Sequence, residues 1–253
     1  MRLYAIKTRT IKASDDVVEI ILDSLKEQNL PLEDNDILVV TSKIIAVSEG
    51  RIAKLSDVMP TDKAKKLAKQ FSLQPEFAEL ILREADKIYG GVKKAVLTFK
   101  NKVLAANAGI DNKNAPNGYV VLWPSNPKKW AAYAREEILH RTGVKIAILV
   151  VDSGLVPLRK GTVGLALATA GFQPVKDCRG ENDIYGKPLI ITQRAVADDL
   201  ASAAHLLMSE AAEKTPLVLV KDAPVDYDDG VYDSADMMMP FNECIFMGSF
   251  GYS

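Results

Sequence analysis

Apolar and polar positions along the chain predict helices and strands in alternation. Short apolar runs predict strands over residues 1–11, 36–42 and 145–151 and from residue 215 onward. After Lys145 the third of these runs is apolar throughout, which is typical of a strand covered on both faces. Apolar spacing and an Ala-rich composition predict helices that begin at Ser14–Asp16 and span 196–212. Because helices and strands interleave over the whole length, we predict a mixed α/β (α+β) fold.

The middle of the chain carries further helix and turn signals. Segment 61–85 is rich in Lys, Ala, Leu and Glu, and it predicts a helix that is interrupted before Pro75. Segment 89–111 predicts a β-hairpin whose turn lies at Lys100–Asn101. Neither a repeat nor a low-complexity linker divides the sequence, and we therefore predict one domain over residues 1–253.

The composition is typical of a soluble globular protein. Hydrophobic residues make up 48% and charged residues 26% of the 253 residues, and the formal net charge is -1. This balance gives no reason to expect nucleic acid or a membrane as partner. Cys178 and Cys244 show no metal-binding spacing, so we expect reduced thiols. The first residues lack the apolar core of a signal peptide, and we expect a cytoplasmic protein.

Polar residues crowd behind predicted strands in four segments: 39–51, 107–114, 150–161 and 178–188. Ligands in open α/β sheets bind outside the carboxyl ends of the strands. Asp111 and Asp152 lie in two of these segments, and such carboxylates suit Mg2+ or Mn2+. Either aspartate alone could instead be a turn former or a helix cap.

Positive charges accompany these carboxylates. Lys43, Arg159 and Lys160 are candidates to face an anion such as phosphate, although the last two would also suit a solvated edge. His140 and His205 fall in predicted helices and are more typical of helix faces than of a catalytic base. The residues alone therefore favour a site for metal and phosphate, without naming a reaction.

Six motifs occur in the order TSKIIAVSEGR, NAGIDNKN, WPSNP, VVDSGLVPLRKG, GLALATAGFQPVKDCRGENDIYGKPLIIT and AVADDLASAAHLLM. Together they resemble the coenzyme F(420)-0:L-glutamate ligase family from about Asp36 to Lys221. The resemblance implies an amide ligase that uses GTP or ATP with Mg2+ or Mn2+, and K+ is a candidate further ion. It implies that L-glutamate is joined, through an acyl phosphate, to a carboxylate of a pterin- or deazaflavin-like cofactor precursor. It also implies a family-type fold that forms an intertwined homodimer, with two intertwined subdomains as an alternative to one domain.

The resemblance also assigns roles to residues. Asp111 and Asp152 match metal-binding aspartates, and Ser153 stands where the family usually has Thr. The candidate catalytic residues are Asp111, Asp152, Arg159 and Lys160. The candidate nucleotide contacts are Ser42, Lys43, Asn114 and Gln193, and Gln193 is also a candidate metal ligand. The candidate substrate contacts are Glu49, Arg51, Gly161, Glu181 and Asp183, of which Glu181 and Asp183 are also candidates for the general base or for loop residues.

Two positions depart from the family pattern. Val47 replaces a Lys that contacts the nucleotide, and Val156 replaces an Arg that precedes Pro157. Such a divergence would accompany a changed acceptor, so the same reaction on reduced folate is an alternative. A non-catalytic nucleotide-binding homologue and a metal-dependent phosphohydrolase are further alternatives.

Overall fold

A computed structural model describes residues 1–209 and 213–251 of the chain. The strands are β1 Arg2–Ile6, β2 Ile37–Thr41, β3 Ile52–Lys54, β4 Lys87–Val92, β5 Ala95–Lys100, β6 Val103–Ala106, β7 Tyr119–Val121, β8 Ala147–Gly154, β9 Val163–Phe172, β10 Lys176–Asp177, β11 Gln193–Arg194, β12 Leu217–Lys221 and β13 Tyr227–Asp233. The α-helices are α1 Val17–Glu27, α2 Ser42–Ser48, α3 Asp62–Phe71, α4 Pro75–Glu84, α5 Pro127–Thr142, α6 Val196–Met208, α7 Ser234–Met237 and α8 Ile245–Ser249. The mixed α/β prediction is confirmed. The helix predicted over 196–212 ends at Met208, and residues 210–212 lie outside the described residues.

Six strands form the central sheet, in the order β1-β12-β2-β8-β9-β13. β2 and β8 pair in parallel, with Thr41 beside Val151, whereas the other neighbouring strands pair antiparallel. The carboxyl ends of β2 and β8 therefore meet at the same edge of the sheet. Ser42 and α2 follow the first of these strands directly.

The sheet is buried on both faces, as the apolar run in β8 predicts. On one face α1, α2 and α5 pack against Leu38, Ile148 and Val150. On the other face α6 packs against Leu149 and Val151. Alternate residues of β8 thus enter two separate hydrophobic clusters, because successive side chains of a strand point to opposite faces.

β8 also extends further than its apolar run. Asp152 and Ser153 continue the strand and pair with Leu165 and Gly164 of β9. Asp152 therefore lies on the strand, whereas the sequence placed it behind the strand end. The reason is that β9 supplies a pairing partner, which the pattern of β8 alone does not reveal.

The middle of the chain forms smaller units beside the central sheet. α4 begins at Pro75, which confirms the predicted interruption between α3 and α4. The predicted hairpin is part of a three-stranded sheet, β4-β5-β6. Its turn lies at Asn101 and Lys102, one residue later than predicted, and both residues have positive φ (49° and 66°). Positive φ at both central residues matches the twist that a two-residue hairpin requires.

Within residues 1–209 and 213–251, no helix combines the length and the apolar character needed to cross a membrane.

Candidate active site

A cavity of about 330 Å³ opens beside the carboxyl ends of β2 and β8. Lys43 reaches it from α2, and Asp111 and Asn114 reach it from the segment that follows β6. Asp152 and Ser153 reach it from the end of β8. Five residues that the sequence placed in one site thus line the same cavity, although they come from three separate parts of the chain.

Asp152 accepts hydrogen bonds at both carboxylate oxygens. Its Oδ1 accepts from the backbone N–H of Ser153 at 2.8 Å, and its Oδ2 accepts from the indole Nε1–H of Trp123. Burial raises the pKa of Asp152 to about 6, against the opposing effect of these two hydrogen bonds and of the Lys43 ammonium. The negative charge of Asp111 adds to the rise. A nearby cation would stabilise the ionised form that burial disfavours.

Asp111 is fixed by its backbone and paired through its side chain. Its N–H and C=O exchange hydrogen bonds with Val121 of β7 at 3.0 and 2.8 Å. Lys43 Nζ lies 2.6 Å from Oδ2 of Asp111 and 3.0 Å from the carbonyl oxygen of Lys113. The two side chains of the Lys43–Asp111 ion pair keep 24% and 37% of their surface exposed, so a ligand in the cavity can compete for either one.

The donor set suits a divalent cation that binds together with a phosphate group. Asp111 and Asp152 offer two carboxylates, and Ser153 and Asn114 line the same cavity. Among the residues that the structure describes, no group of three or more His, Cys, Asp or Glu side chains could hold a metal. Mg2+ is commonly held by one or two carboxylates, with water and substrate phosphates completing its shell. The residues therefore fit a divalent cation that takes its remaining ligands from water or a phosphate group.

Glu49 and Arg51 make contacts within the chain around the site. Glu49 accepts hydrogen bonds from the N–H and the hydroxyl of Ser125 at 2.8 and 2.6 Å. Arg51 donates to the carbonyl of Trp123 at 3.0 Å and to Glu84 at 2.8 Å. Their assignment as substrate contacts stays a prediction, and the structure adds a supporting role for each.

Besides Glu49 and Arg51, seven other predicted site residues do not line this cavity. Ser42 is buried at the start of α2. Arg159, Lys160 and Gly161 lie in the exposed loop between β8 and β9, Glu181 and Asp183 lie between β10 and β11, and Gln193 is exposed in β11. Asp183 accepts hydrogen bonds from the backbone N–H groups of Tyr185 and Lys187 and so shapes its own turn. None of the seven lines the cavity that holds Asp111 and Asp152, and their functional roles stay predictions.

The cavity also contains residues that the sequence analysis did not select. Its far wall includes Arg9 and Thr10 after β1, His205 on α6, and Lys214 and Thr215 before β12. His205 lies on a helix, as predicted, and also faces this cavity. No local pattern marks these residues, because they come from separate parts of the chain. Those after β1 and before β12 meet because the two strands are neighbours in the sheet.

The mixed sheet, with a cavity at its strand ends that is lined by both carboxylates and cations, defines an α/β protein with a small-molecule site at a sheet edge. The family model described as F420-0:Gamma-glutamyl ligase matches residues 5–222. The chain therefore belongs to the F420-0:gamma-glutamyl ligase family, which confirms the resemblance.

Its relatives include proteins named coenzyme F420:L-glutamate ligase. The protein of Methanopyrus kandleri is 35% identical over 84% of this chain and 83% of its own length. That of Methanocaldococcus jannaschii is 35% identical over 85% of this chain and 86% of its own length. That of Methanothermobacter thermautotrophicus is 34% identical over 85% of each chain.

Proposed function

We propose that the chain is a nucleotide- and divalent-metal-dependent ligase that forms an amide between L-glutamate and a carboxylate of a deazaflavin-type precursor. The observation that carries the proposal is the convergence of Asp111, Asp152 and Lys43 on one cavity. Its support is the membership of the chain in a family whose relatives are named coenzyme F420:L-glutamate ligase.

The proposed reaction is activation of a carboxylate by phosphoryl transfer. The acceptor carboxylate attacks the γ-phosphoryl group of GTP or ATP, which gives an acyl phosphate and a nucleoside diphosphate. The amine of L-glutamate then displaces phosphate and forms the amide. Such transfers depend mainly on positioning and on neutralising charge, so they do not require His205 of the cavity to act as a base.

The residues of the cavity have separate tasks in this reaction. Asp111 and Asp152 would hold Mg2+ or Mn2+, which when bound supplies positive charge to the phosphoryl oxygens. The ammonium of Lys43, 2.6 Å from Asp111, would neutralise a phosphate oxygen that arrives beside that carboxylate. Arg9 and Lys214 on the far wall of the cavity are proposed contacts for the rest of the nucleotide.

We also propose that the active form is a cytoplasmic homodimer. Leu158 in the β8–β9 loop and Ile184 and Ile191 in the β10–β11 loop are at least 86% exposed. Highly exposed apolar side chains in these two loops favour coverage by another protein surface. The same loops carry predicted site residues that do not line the cavity, which a second copy over the loops could complete.

Mass spectrometry tests the proposed reaction directly. The chain is incubated with L-glutamate, GTP or ATP, Mn2+ or Mg2+ with and without K+, and a panel of deazaflavin, pterin and reduced folate acceptors. We expect a deazaflavin-type acceptor to gain the mass of a glutamyl unit only when nucleotide and metal are both present. If no acceptor gains that mass, the proposed ligation is wrong.

A second candidate function rests on Val47. It lines the cavity where the family pattern has a Lys that contacts the nucleotide. Nucleotide binding without phosphate release would favour a non-catalytic homologue. A glutamyl gain on reduced folate alone would assign the other acceptor, whereas phosphate release without glutamate would indicate a phosphohydrolase.

A further inference from the structure

Trp123 connects the carboxylate cavity to the interior of the protein. It follows β7 in the WPSNP motif, and only 3% of its surface is exposed. Its indole Nε1–H donates to Oδ2 of Asp152, whereas Oδ1 of the same carboxylate accepts from the backbone of Ser153. A carboxylate offers about four lone-pair directions, so these two bonds leave acceptor capacity at each oxygen of Asp152.

The indole ring is held from the side of Asp111 by a glycine. Gly109 precedes Asp111 by two residues and has a φ of +72°. A Cβ atom at Gly109 would lie 2.2 Å from Cε2 and from Nε1 of Trp123, so the ring occupies the place of a side chain. The ring thus contacts both the segment that carries Asp111 and the side chain of Asp152.

A largely buried set of charged residues holds Trp123 from the other side. Lys100 Nζ lies 5.6 Å from the centroid of the indole ring and forms an ion pair with Glu84. Arg51 also pairs with Glu84 at 2.8 Å and donates to the carbonyl of Trp123 at 3.0 Å. The side chains of Lys100 and Glu84 are 6% and 16% exposed, so the network lies mostly out of water. Both the backbone and the ring of Trp123 are therefore fixed by partners outside the cavity.

We propose that Trp123 is a positioning residue that holds Asp152 in the orientation in which its remaining lone pairs face a divalent cation. This inference rests on the proposed function, in which Asp152 holds Mg2+ or Mn2+. Residues that orient a metal ligand commonly change the metal affinity about 10- to 100-fold when they are replaced. The indole N–H supplies the orienting bond, and a phenyl ring in its place would keep most of the volume but lose the donor.

Trp123→Phe separates the donor from the packing, and the chain offers a matched control. Trp130 on α5 is the second of two tryptophans in the sequence, and it packs against the core away from the cavity. Binding of Mn2+ is followed through the electron paramagnetic resonance signal of free Mn2+, with no reaction running. We expect Trp123→Phe to weaken Mn2+ binding by about 10-fold or more, and Trp130→Phe to leave it within a factor of about two of wild type.

Fluorescence supplies a readout that packing alone would not change, and it does not require Trp123→Phe to fold. In Trp130→Phe the remaining indole is Trp123, and Mn2+ on Asp152 should quench its emission over the same concentration range in which the free Mn2+ signal falls. In Trp123→Phe the emission of Trp130 should not respond. Adding Asp152→Asn to Trp130→Phe should abolish the response of Trp123.

The possible failures can be told apart. Two results would refute the positioning role while the metal site stands. In the first, wild type binds Mn2+ but the emission of Trp123 in Trp130→Phe does not change. In the second, Trp123→Phe binds Mn2+ as tightly as wild type. If the wild-type chain binds no Mn2+ with or without GTP or ATP, both the proposed metal site and this inference are overturned.

Discussion

At the residue scale, the ammonium of Lys43 interacts with both carboxylates of the cavity. Its ammonium pairs with Asp111 and also lowers the pKa of Asp152 against the effect of burial. The sequence predicted each of these residues as a site residue, but it did not predict the ion pair. Lys43 and Asp111 are 68 positions apart, and their contact arises from the placement of α2 beside the segment after β6.

Lys43→Met tests whether this ammonium serves the nucleotide or only the carboxylates. A charged hydrogen bond to phosphate would be lost, so we expect the dissociation constant of GTP or ATP to rise about 10- to 100-fold. Binding of Mn2+ without nucleotide should tighten, because no ammonium then competes for Asp111. Isothermal titration calorimetry measures both constants, and Lys54→Met, at an exposed position in β3, is the control. Unchanged nucleotide affinity in Lys43→Met would remove Lys43 from the proposed nucleotide site.

Asp152 should make the stability of the metal-free protein depend on pH. Its pKa, raised by burial to about 6, exceeds the value of about 3.9 for an unfolded chain. Its contribution to stability is therefore present below about pH 4 and is lost as the pH rises through about 6. Asp152→Asn removes this titration, so the amount by which its melting temperature in EDTA exceeds that of wild type should grow between about pH 4 and about pH 6 and stay level at higher pH.

The control for this pH series is Asp62→Asn, since the Asp62 side chain is 89% exposed. We expect the melting temperature of that variant to run parallel to wild type over the same pH range. A constant difference between Asp152→Asn and wild type at all pH values would contradict a raised pKa at Asp152.

At the element scale, Glu79 joins α4 to the start of α3. Its carboxylate accepts hydrogen bonds from the hydroxyl and the N–H of Thr61 at 2.7 and 2.9 Å, and Arg83 pairs with it at 3.0 Å. Together these bonds lower the pKa of Glu79 to about 2. The hydrogen bond from the Thr61 hydroxyl has the largest effect on this pKa, and the one from Arg83 has the smallest of the three. The stability that they contribute is present above about pH 4.3 and is lost as the pH falls through about 2.

Glu79→Gln should consequently destabilise the protein at neutral pH and much less in acid. Urea unfolding at about pH 7 and about pH 3 measures the free energy of unfolding for both chains. Glu76→Gln on the same helix is the control and should change little at either pH. An equal loss of stability at both pH values in Glu79→Gln would show that shape rather than charge matters at this position.

The helices and strands were predicted well where the pattern of one segment decides them. The apolar run that became β8 predicted burial on both faces, and Pro75 predicted the break between α3 and α4. The predicted end of β8 was wrong, because the extension of this strand through Asp152 depends on pairing with β9. The role of Trp123 was missed for the same reason, since its partner Asp152 is 29 positions away.

At the scale of the whole molecule, the β8–β9 and β10–β11 loops should form the contact with a second copy. We expect a dimer by light scattering at micromolar concentration, because the burial of exposed apolar side chains drives association. The double substitution Ile190→Ser with Ile191→Ser should give a monomer with little activity, whereas Val92→Ser, at another exposed apolar position, should remain a dimer. A wild-type monomer would contradict the proposed dimer.

The segment from Met237 to Phe241 shows a limit of such whole-molecule predictions. The segment is apolar beside an otherwise polar tail, a composition that would suit a surface covering a partner. In the structure the ring of Phe241 lies 5.3 Å from that of Phe99, so part of this segment packs within its own chain. Apolar composition therefore predicts that a surface is covered, but it does not predict which chain covers it.

The proposed ligation requires the charge of Asp152, and phosphate release tests this most directly. The rate is measured with GTP or ATP, saturating Mn2+, L-glutamate and the acceptor, and again without L-glutamate or without the acceptor. We expect wild type to release phosphate only in the complete mixture, and Asp152→Asn to be slower by on the order of a thousandfold, because a neutral amide is a poor ligand for a hard cation. Asp111→Asn should be similarly slow, and the double variant should lose less than the sum of the two effects on the activation free energy. A near-wild-type rate in Asp152→Asn would contradict the metal site and, with it, the proposed mechanism.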